Sequence, residues 1–162
     1  MISYEYPLSE RVRTLLRFED LYERVEYFLD KTDAREHHSA LVATFEILEV
    51  ASRADLKSDL LQELERQKQT LEALRNNPEI SEAALDDIVW KIDQAASRLF
   101  QTSGKVGQEL RENDWLMSIR QRAAIPGGVC EFDLPFYHFW LHQDPAMRRA
   151  ELHGWLGHFS PL

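Results

Sequence analysis

The chain is poor in several things, and each shortage removes a class of protein. It has one cysteine, Cys130, in 162 residues. A lone thiol forms no internal disulfide, so this is not a small cross-linked scaffold, and the reduced state suits the cytoplasm. Glycine and proline number six each, too few for an all-β fold with a turn every 8–12 residues or so. Long apolar runs are missing. The N-terminal MISYEYPLSERVRT has none of signal-peptide length, and no window approaches the ~18 apolar residues of a membrane span. Positive charge is scarce, with 19 Lys and Arg against 28 Asp and Glu, a formal net charge of −9. General nucleic-acid binding needs a basic footprint and is disfavoured, although a local basic patch stays open. There is no phosphate loop, no dinucleotide glycine pattern and no Gly-x-Ser-x-Gly elbow.

What remains is an ordinary globular composition, 44% hydrophobic and 29% charged, long enough for one domain burying roughly 70% of its unfolded surface. Its apolar residues recur mostly at helical spacing. Ile2–Tyr6 alternates like a short strand that Pro7 ends. Ser9 then stands where an N-cap would, before a wide apolar stripe from Val12 to Leu29 that predicts a buried first helix. Residues 31–38 are polar and loop-like. Leu41, Phe45, Leu48 and Ala51 mark a second helix, and Asp55 is placed to cap a third. Leu60, Leu64, Gln67, Leu71 and Leu74 step 4-3-4-3, and Leu85, Ile88, Ile92, Ala95 and Leu99 step 3-4-3-4 behind a Ser81 cap. Two such seams around Asn76-Asn77-Pro78 predict an antiparallel helical hairpin, 56–75 against 82–100. Thr102-Ser103-Gly104 breaks the chain. A turn or two of helix is expected within 106–112, then a helix capped by Asn113 or Asp114 and running to about Arg122. Ile125-Pro126-Gly127-Gly128 reads as a turn, and 129–134 alternates like a strand. Asp133 would cap a short helix with Pro135 in its first turn, and Asp144-Pro145 repeats that start.

Chemistry is sparse. His138 and His142 lie four apart on one helical face, as metal-binding pairs do. They lack the adjacent glutamate of a zinc protease and any nearby cysteine pair, so packed or surface histidines are the simpler reading. Cys130 sits in a strand-like run, where a thiol ordinarily packs. Arg120 and Arg122 end a helix and complement the negative end of its dipole; the alternative is a docking point for a carboxylate or an acidic peptide. Arg17, beside Phe18, has the same ambiguity.

The most individual wording is IRQRAAIPGGVCEFDLPFYHFWLH, residues 119–142. It resembles the corresponding stretch of the ZapD cell-division family, RQR…IPGG.C.FDLP..H.WLH. The N-terminal YEYPLSERVRTLLRFE, the helix DLLQELERQKQTLEAL and the approach GQELREND resemble that family in the same order, so the likeness spans essentially the whole chain. It departs at Asp114, which is acidic where a relative is basic.

The resemblance implies a non-enzymatic protein of the bacterial division ring, cytoplasmic and at the septum. It would bind the C-terminal tail of the filament protein FtsZ and, as a homodimer, cross-link and bundle its filaments. The family's basic pocket carries over to Arg17 and His138, with Arg120 and Arg122 nearby. No cofactor, metal, nucleic acid or membrane contact is implied. This chain looks like the N-terminal two-thirds of such a protein. The expected fold is therefore mainly α: a helical bundle with a long antiparallel hairpin, and one or two short β-strands left over from a truncated β-domain. In this reading 8–122 form a helical core and 126–162 the junction to that β-domain. The alternative function is a helical dimerisation or scaffold fragment that has lost tail binding.

Overall fold

A computed structural model describes residues 4, 6–52, 56–75, 77–101 and 105–159. Eight helices occur among them: α1 Glu10–Leu29, α2 Ala34–Ala51, α3 Leu56–Glu72, α4 Glu82–Gln101, α5 Gln108–Arg111, α6 Asp114–Ala123, α7 Pro135–Leu141 and α8 Pro145–Gly157. The fold is mainly helical as expected, and no strand occurs among the described residues. They form two compact units, one drawing on 1–52 and 107–160 and the other on 53–106.

The first unit is built on α1 and α2, which pack against each other along their lengths. The α1 stripe is narrower than its sequence suggests: Thr14, Phe18, Leu21, Val25 and Leu29 point inward and the opposite face is solvated. This is a surface helix with one buried face rather than a fully buried one. Helix α2 is the central element, with Ala40, Leu41, Ala43, Thr44, Phe45, Ile47, Leu48 and Ala51 buried. It touches α1, α6, α7 and α8. Gly107 lies at the start of α5 with φ +73°, and a Cβ there would come within 2.7 Å of Leu48 and 2.8 Å of Phe159. Both the left-handed backbone and the close approach require glycine.

Residues 31–38 are not a loop throughout. Asp33 caps α2, accepting from the Arg35 N–H at 2.7 Å, while the Glu36 carboxylate reaches back to the Asp33 N–H at 3.4 Å. This reciprocal pair starts the helix three residues into the polar stretch. It also turns His37 into the core, fully buried. His37 is held by a residue far away in sequence. Arg148, on α8 and only 3% exposed, donates to His37 Nδ1 at 2.9 Å and to the carbonyls of Thr32 (2.7 Å), Leu141 (2.5 Å) and Gln143 (2.6 Å). Because Nδ1 accepts, His37 must be neutral, with Nε2–H donating to the Lys31 carbonyl at 2.9 Å. Burial first, and then the Arg148 charge, hold its pKa below the usual histidine range. Next door, Arg149 binds the carbonyls of Leu29 (2.8 Å) and Lys31 (3.0 Å). Two arginines thus join α8 to the α1–α2 loop, satisfying carbonyls that no helix uses.

The second unit is the expected hairpin. Lys68–Asp93 and Arg75–Asp86, each at 2.7 Å, and Lys57 Nζ to the Phe100 carbonyl at 3.4 Å, pair rising numbers with falling ones, the register of antiparallel helices. Ser81 caps α4 by accepting from the Ala84 N–H at 3.4 Å. The α4 seam differs from the expectation. Leu85, Val89 and Leu99 are buried and Ile92 and Ala96 half-buried, while Ile88 and Ala95 face outward. The row steps 4-3-4-3, rotated slightly from the alternative stripe that Ile88 suggests.

The strand expected at 129–134 is absent. Successive turns run through it: the Gly128 N–H bonds to the Ile125 carbonyl at 2.9 Å, and those of Asp133 and Leu134 share the Cys130 carbonyl at 3.0 Å. The backbone satisfies itself locally and needs no partner strand. Its alternation is not matched by one buried side, since Leu134 is buried while Phe132, two residues before it, is 80% exposed. Cys130 is exposed too, not packed. The cap of α7 is Leu134, one residue beyond Asp133, whose side chain instead faces Arg122. Asn113 and Asp144 cap α6 and α8 as expected. Ser9 stands at the N-cap position of α1 without a side-chain bond to the helix. The strand read at 2–6, the Asp55 cap and the break at 102–104 fall outside the described residues, wholly or in their decisive positions.

Candidate functional site

Arg17 lines a groove, and Arg120 reaches a residue at its edge. The groove holds about 380 Å³ on the outer side of the α1–α2 pair, over Leu21 and Val50, with Arg17, Asp20, Arg24, Glu46 and Glu49 around it. Arg17 Nη1 contacts Glu10 at 3.1 Å. Arg24 reaches Asp20 at 3.0 Å and Glu46 at 3.3 Å, tying α1 to α2. Arg120, from the last turn of α6, does not line the groove but bonds to the Glu49 carboxylate at its edge. The groove therefore alternates cations and carboxylates over an apolar floor. Arg17 bonding, ahead of the opposing cost of desolvation, holds the Glu10 pKa below its usual value. Arg24 was not singled out from sequence. The signal was there, because seven residues separate it from Arg17, two helical turns along the same face.

Arg122, in the last turn of α6, and His138, on α7, lie elsewhere, on either side of the turn that joins these helices. Arg122 contacts Asp133 at 3.6 Å, and His138 contacts Glu131 at 3.5 Å. The latter is a charge pair only when the imidazole is protonated. Gly127, at φ +72°, and Gly128, whose Cβ would strike the Arg122 carbonyl, let the chain fold back tightly after α6. This bend sets Asp133 against Arg122. The His138 and His142 rings lie 4.3 Å apart, and His142 Nδ1 bonds to the His138 carbonyl at 2.8 Å. One ring nitrogen is thus spent on backbone, and no group of three metal-ligating side chains occurs among the described residues.

The four residues thus fall into two pairs, and each of the three arginines and His138 has an acidic neighbour. Such half-exposed pairs contribute little to stability, and a competing carboxylate can exchange into them cheaply. No helix among the described residues is long and apolar enough to cross a membrane.

Comparisons with known proteins address the whole chain. A family model described as ZapD, cell division protein, matches residues 16–162. The chain is 64% identical over 162 residues to Cell division protein ZapD of Dechloromonas aromatica (strain RCB), covering 100% of itself and 64% of that relative. It is 60% identical to the ZapD of Aromatoleum aromaticum (strain DSM 19018 / LMG 30748 / EbN1), and covers 63% of it. It is 62% identical to the ZapD of Azoarcus sp. (strain BH72), and covers 64% of it. The chain therefore spans somewhat less than two thirds of the length of these relatives. Their description names a division protein and indicates no catalytic activity. The family model covers most of the chain and the relatives match it over its full length, and by this likeness the chain belongs to the ZapD family of cell division proteins.

Proposed function

We propose that this ZapD-family chain is part of a non-enzymatic adaptor that docks the C-terminal tail of FtsZ. As a homodimer the adaptor cross-links and bundles FtsZ filaments at the division septum, on the cytoplasmic side. The observation that carries the reading is the α1–α2 groove, where Arg17, Arg24 and, through Glu49, Arg120 stand around Leu21 and Val50. A tail carboxylate would displace Glu10 or Glu49 from its arginine while a neighbouring apolar side chain settles on the floor. Arg122 on α6 and His138 on α7 offer a second contact on either side of the turn that joins those helices. Each contact is exposed and so is weak and salt-sensitive. Dimerisation compensates, because the second tail binds at the high local concentration of a filament. In the same reading 8–122 form the helical core and 126–162 border a further β-domain, on the strength of the resemblance alone.

The test is co-sedimentation with FtsZ filaments across a salt series, using the whole protein that carries these residues and this chain alone. Arg120→Glu with Arg122→Glu is expected to remove most binding and flatten the salt dependence of what remains. Unchanged binding and slope would end this assignment. A second reading, a helical scaffold that does not hold the tail itself, is favoured by one feature: the three arginines and His138 already have acidic partners within the chain. It predicts no saturable binding of an FtsZ tail peptide to this chain, together with a dimer that persists on dilution.

A further inference from the structure

A second groove, opposite in character to the first, lies where α6, α7 and α8 meet. It holds about 540 Å³ and is walled by Trp115, Phe136, Phe139, Trp140 and Trp155, with two amides at its rim. That volume falls in the ~300–1,000 Å³ span common for binding sites, enough for a short peptide stretch rather than one side chain. The rings form a connected set: Trp115 lies 5.6 Å from Trp155 and 5.8 Å from Trp140, and Trp140 lies 6.0 Å from Trp155, centroid to centroid. Such a wall is stiff and has few rotamers to lose on binding. Phe139 is 68% exposed, and Phe136 is exposed beside it. Phe136 packs on Trp115 at 6.0 Å, while most of Phe139 remains open apolar surface beside the groove.

Charge selects the occupant. Glu151 is the one charged residue in the lining, and no Lys or Arg joins it. One of its carboxylate oxygens, Oε2, accepts from Trp140 Nε1. That bond holds the carboxylate against the aromatic wall of the groove. The faces of indole and phenyl rings attract cations, and the carboxylate adds a fixed negative charge. Nucleic acid, which could also stack on such rings, would bring its phosphates against Glu151 and a chain of net charge −9. Arginine suits this site better than lysine, because its flat, weakly hydrated guanidinium can lie on a ring while forking onto a carboxylate.

The geometry points to the α6–α8 groove as a docking site for an extended peptide segment that carries an arginine between apolar residues. The guanidinium bonds to Glu151 over the tryptophan wall, and the apolar neighbours cover Phe136 and Phe139. The site is separate from the basic groove on α1–α2 and takes the opposite charge, so it does not rest on the proposed tail binding.

The experiment titrates the protein with the capped tetrapeptide Leu-Arg-Leu-Arg, and with Leu-Lys-Leu-Lys and Leu-Glu-Leu-Glu as comparisons. Binding is followed by tryptophan fluorescence and by the indole N–H resonance of Trp140. Saturable binding is expected for the arginine peptide, weaker binding for the lysine peptide and none for the glutamate peptide. Glu151→Gln keeps an acceptor for Trp140 while removing the charge, and is expected to weaken arginine binding at least about five-fold. Phe139→Ala, at an exposed position, is expected to weaken it about three-fold. Equal affinity for the arginine and glutamate peptides, or full affinity in Glu151→Gln, overturns the proposal. So does a change of sedimentation coefficient in Phe139→Ala without peptide binding in the parent, which would mean that a second copy covers this face.

Discussion

Arg148 is the residue whose removal tests the packing argument most directly. Its guanidinium is almost wholly buried and has no carboxylate partner among the described residues. It bonds instead to His37 Nδ1 and to three carbonyls, at 2.5 to 2.9 Å. Arg148→Met keeps most of the side-chain volume and removes every donor. Each buried acceptor then loses a bond that had offset its desolvation, at about 1–3 kcal/mol apiece. Water entry and relaxation recover part of that for the carbonyls near the surface. His37, with 0% exposure, is in the worst position to recover. A loss of about 3–5 kcal/mol is expected, in the range for breaking a buried polar network. Arg149→Met is the internal control. Its bonds go to carbonyls of the same loop, but the residue is only half-buried, and about 1 kcal/mol is expected. The assay is urea unfolding followed by tryptophan fluorescence in a Trp90→Phe background. Trp115, Trp140 and Trp155 then report on the unit that contains Arg148, and the α3–α4 unit is silent. Equal losses for the two variants, or a loss below about 1 kcal/mol for Arg148→Met, would refute the idea that this arginine is a structural centre.

The remaining predictions concern acidity, backbone and a thiol. Burial holds the pKa values of both His37 and His38 below the usual 6.5. The unfolded chain therefore takes up protons first on acidification, so stability is whole above about pH 6.5 and falls as pH drops below it; a urea midpoint that is flat between pH 7.5 and 5.5 would contradict this. His38 adds a second link, since its Nδ1 lies 2.7 Å from the Tyr137 hydroxyl, whose own pKa burial pushes up, so that the phenol remains the donor. Gly107→Ala should destabilise the protein by about 2 kcal/mol, from the left-handed backbone together with the clash with Leu48 and Phe159, read as a lower unfolding midpoint. Cys130 is exposed, so a thiol reagent should label it in the folded protein at nearly the rate seen in urea; protection of ten-fold or more would return it to the core.

Local rules covered much of the molecule. The caps at Ser81, Asn113 and Asp144, the hairpin and the tight Gly127-Gly128 turn depend on neighbours a few residues away, and sequence shows those neighbours directly. Reading fails where a residue's partner is distant. Residues 31–38 look like a loop because they are polar, yet His37 is buried by an arginine 111 positions further on. Alternation at 129–134 looks like a strand, because a periodic pattern carries no information on whether a sheet exists for it to join. Asp133 looks like a cap, but is drawn to Arg122. For the site residues the difference is the same. Sequence and family wording select Arg17, Arg120, Arg122 and His138 as basic residues. Their division into a groove pair and a turn pair, each with an acidic partner, is a matter of tertiary placement.

By itself, then, the sequence determined a helical chain with one acidic excess, one thiol, a long hairpin and membership of a division family, since composition, periodicity and wording are properties of the chain read in order. Tertiary structure alone decided that Arg148 and His37 are one buried network, that five aromatic rings and Glu151 share a groove, and that Cys130 faces water. Burial and pairing of polar groups are long-range properties, set by which surfaces remain once the helices have covered their apolar faces.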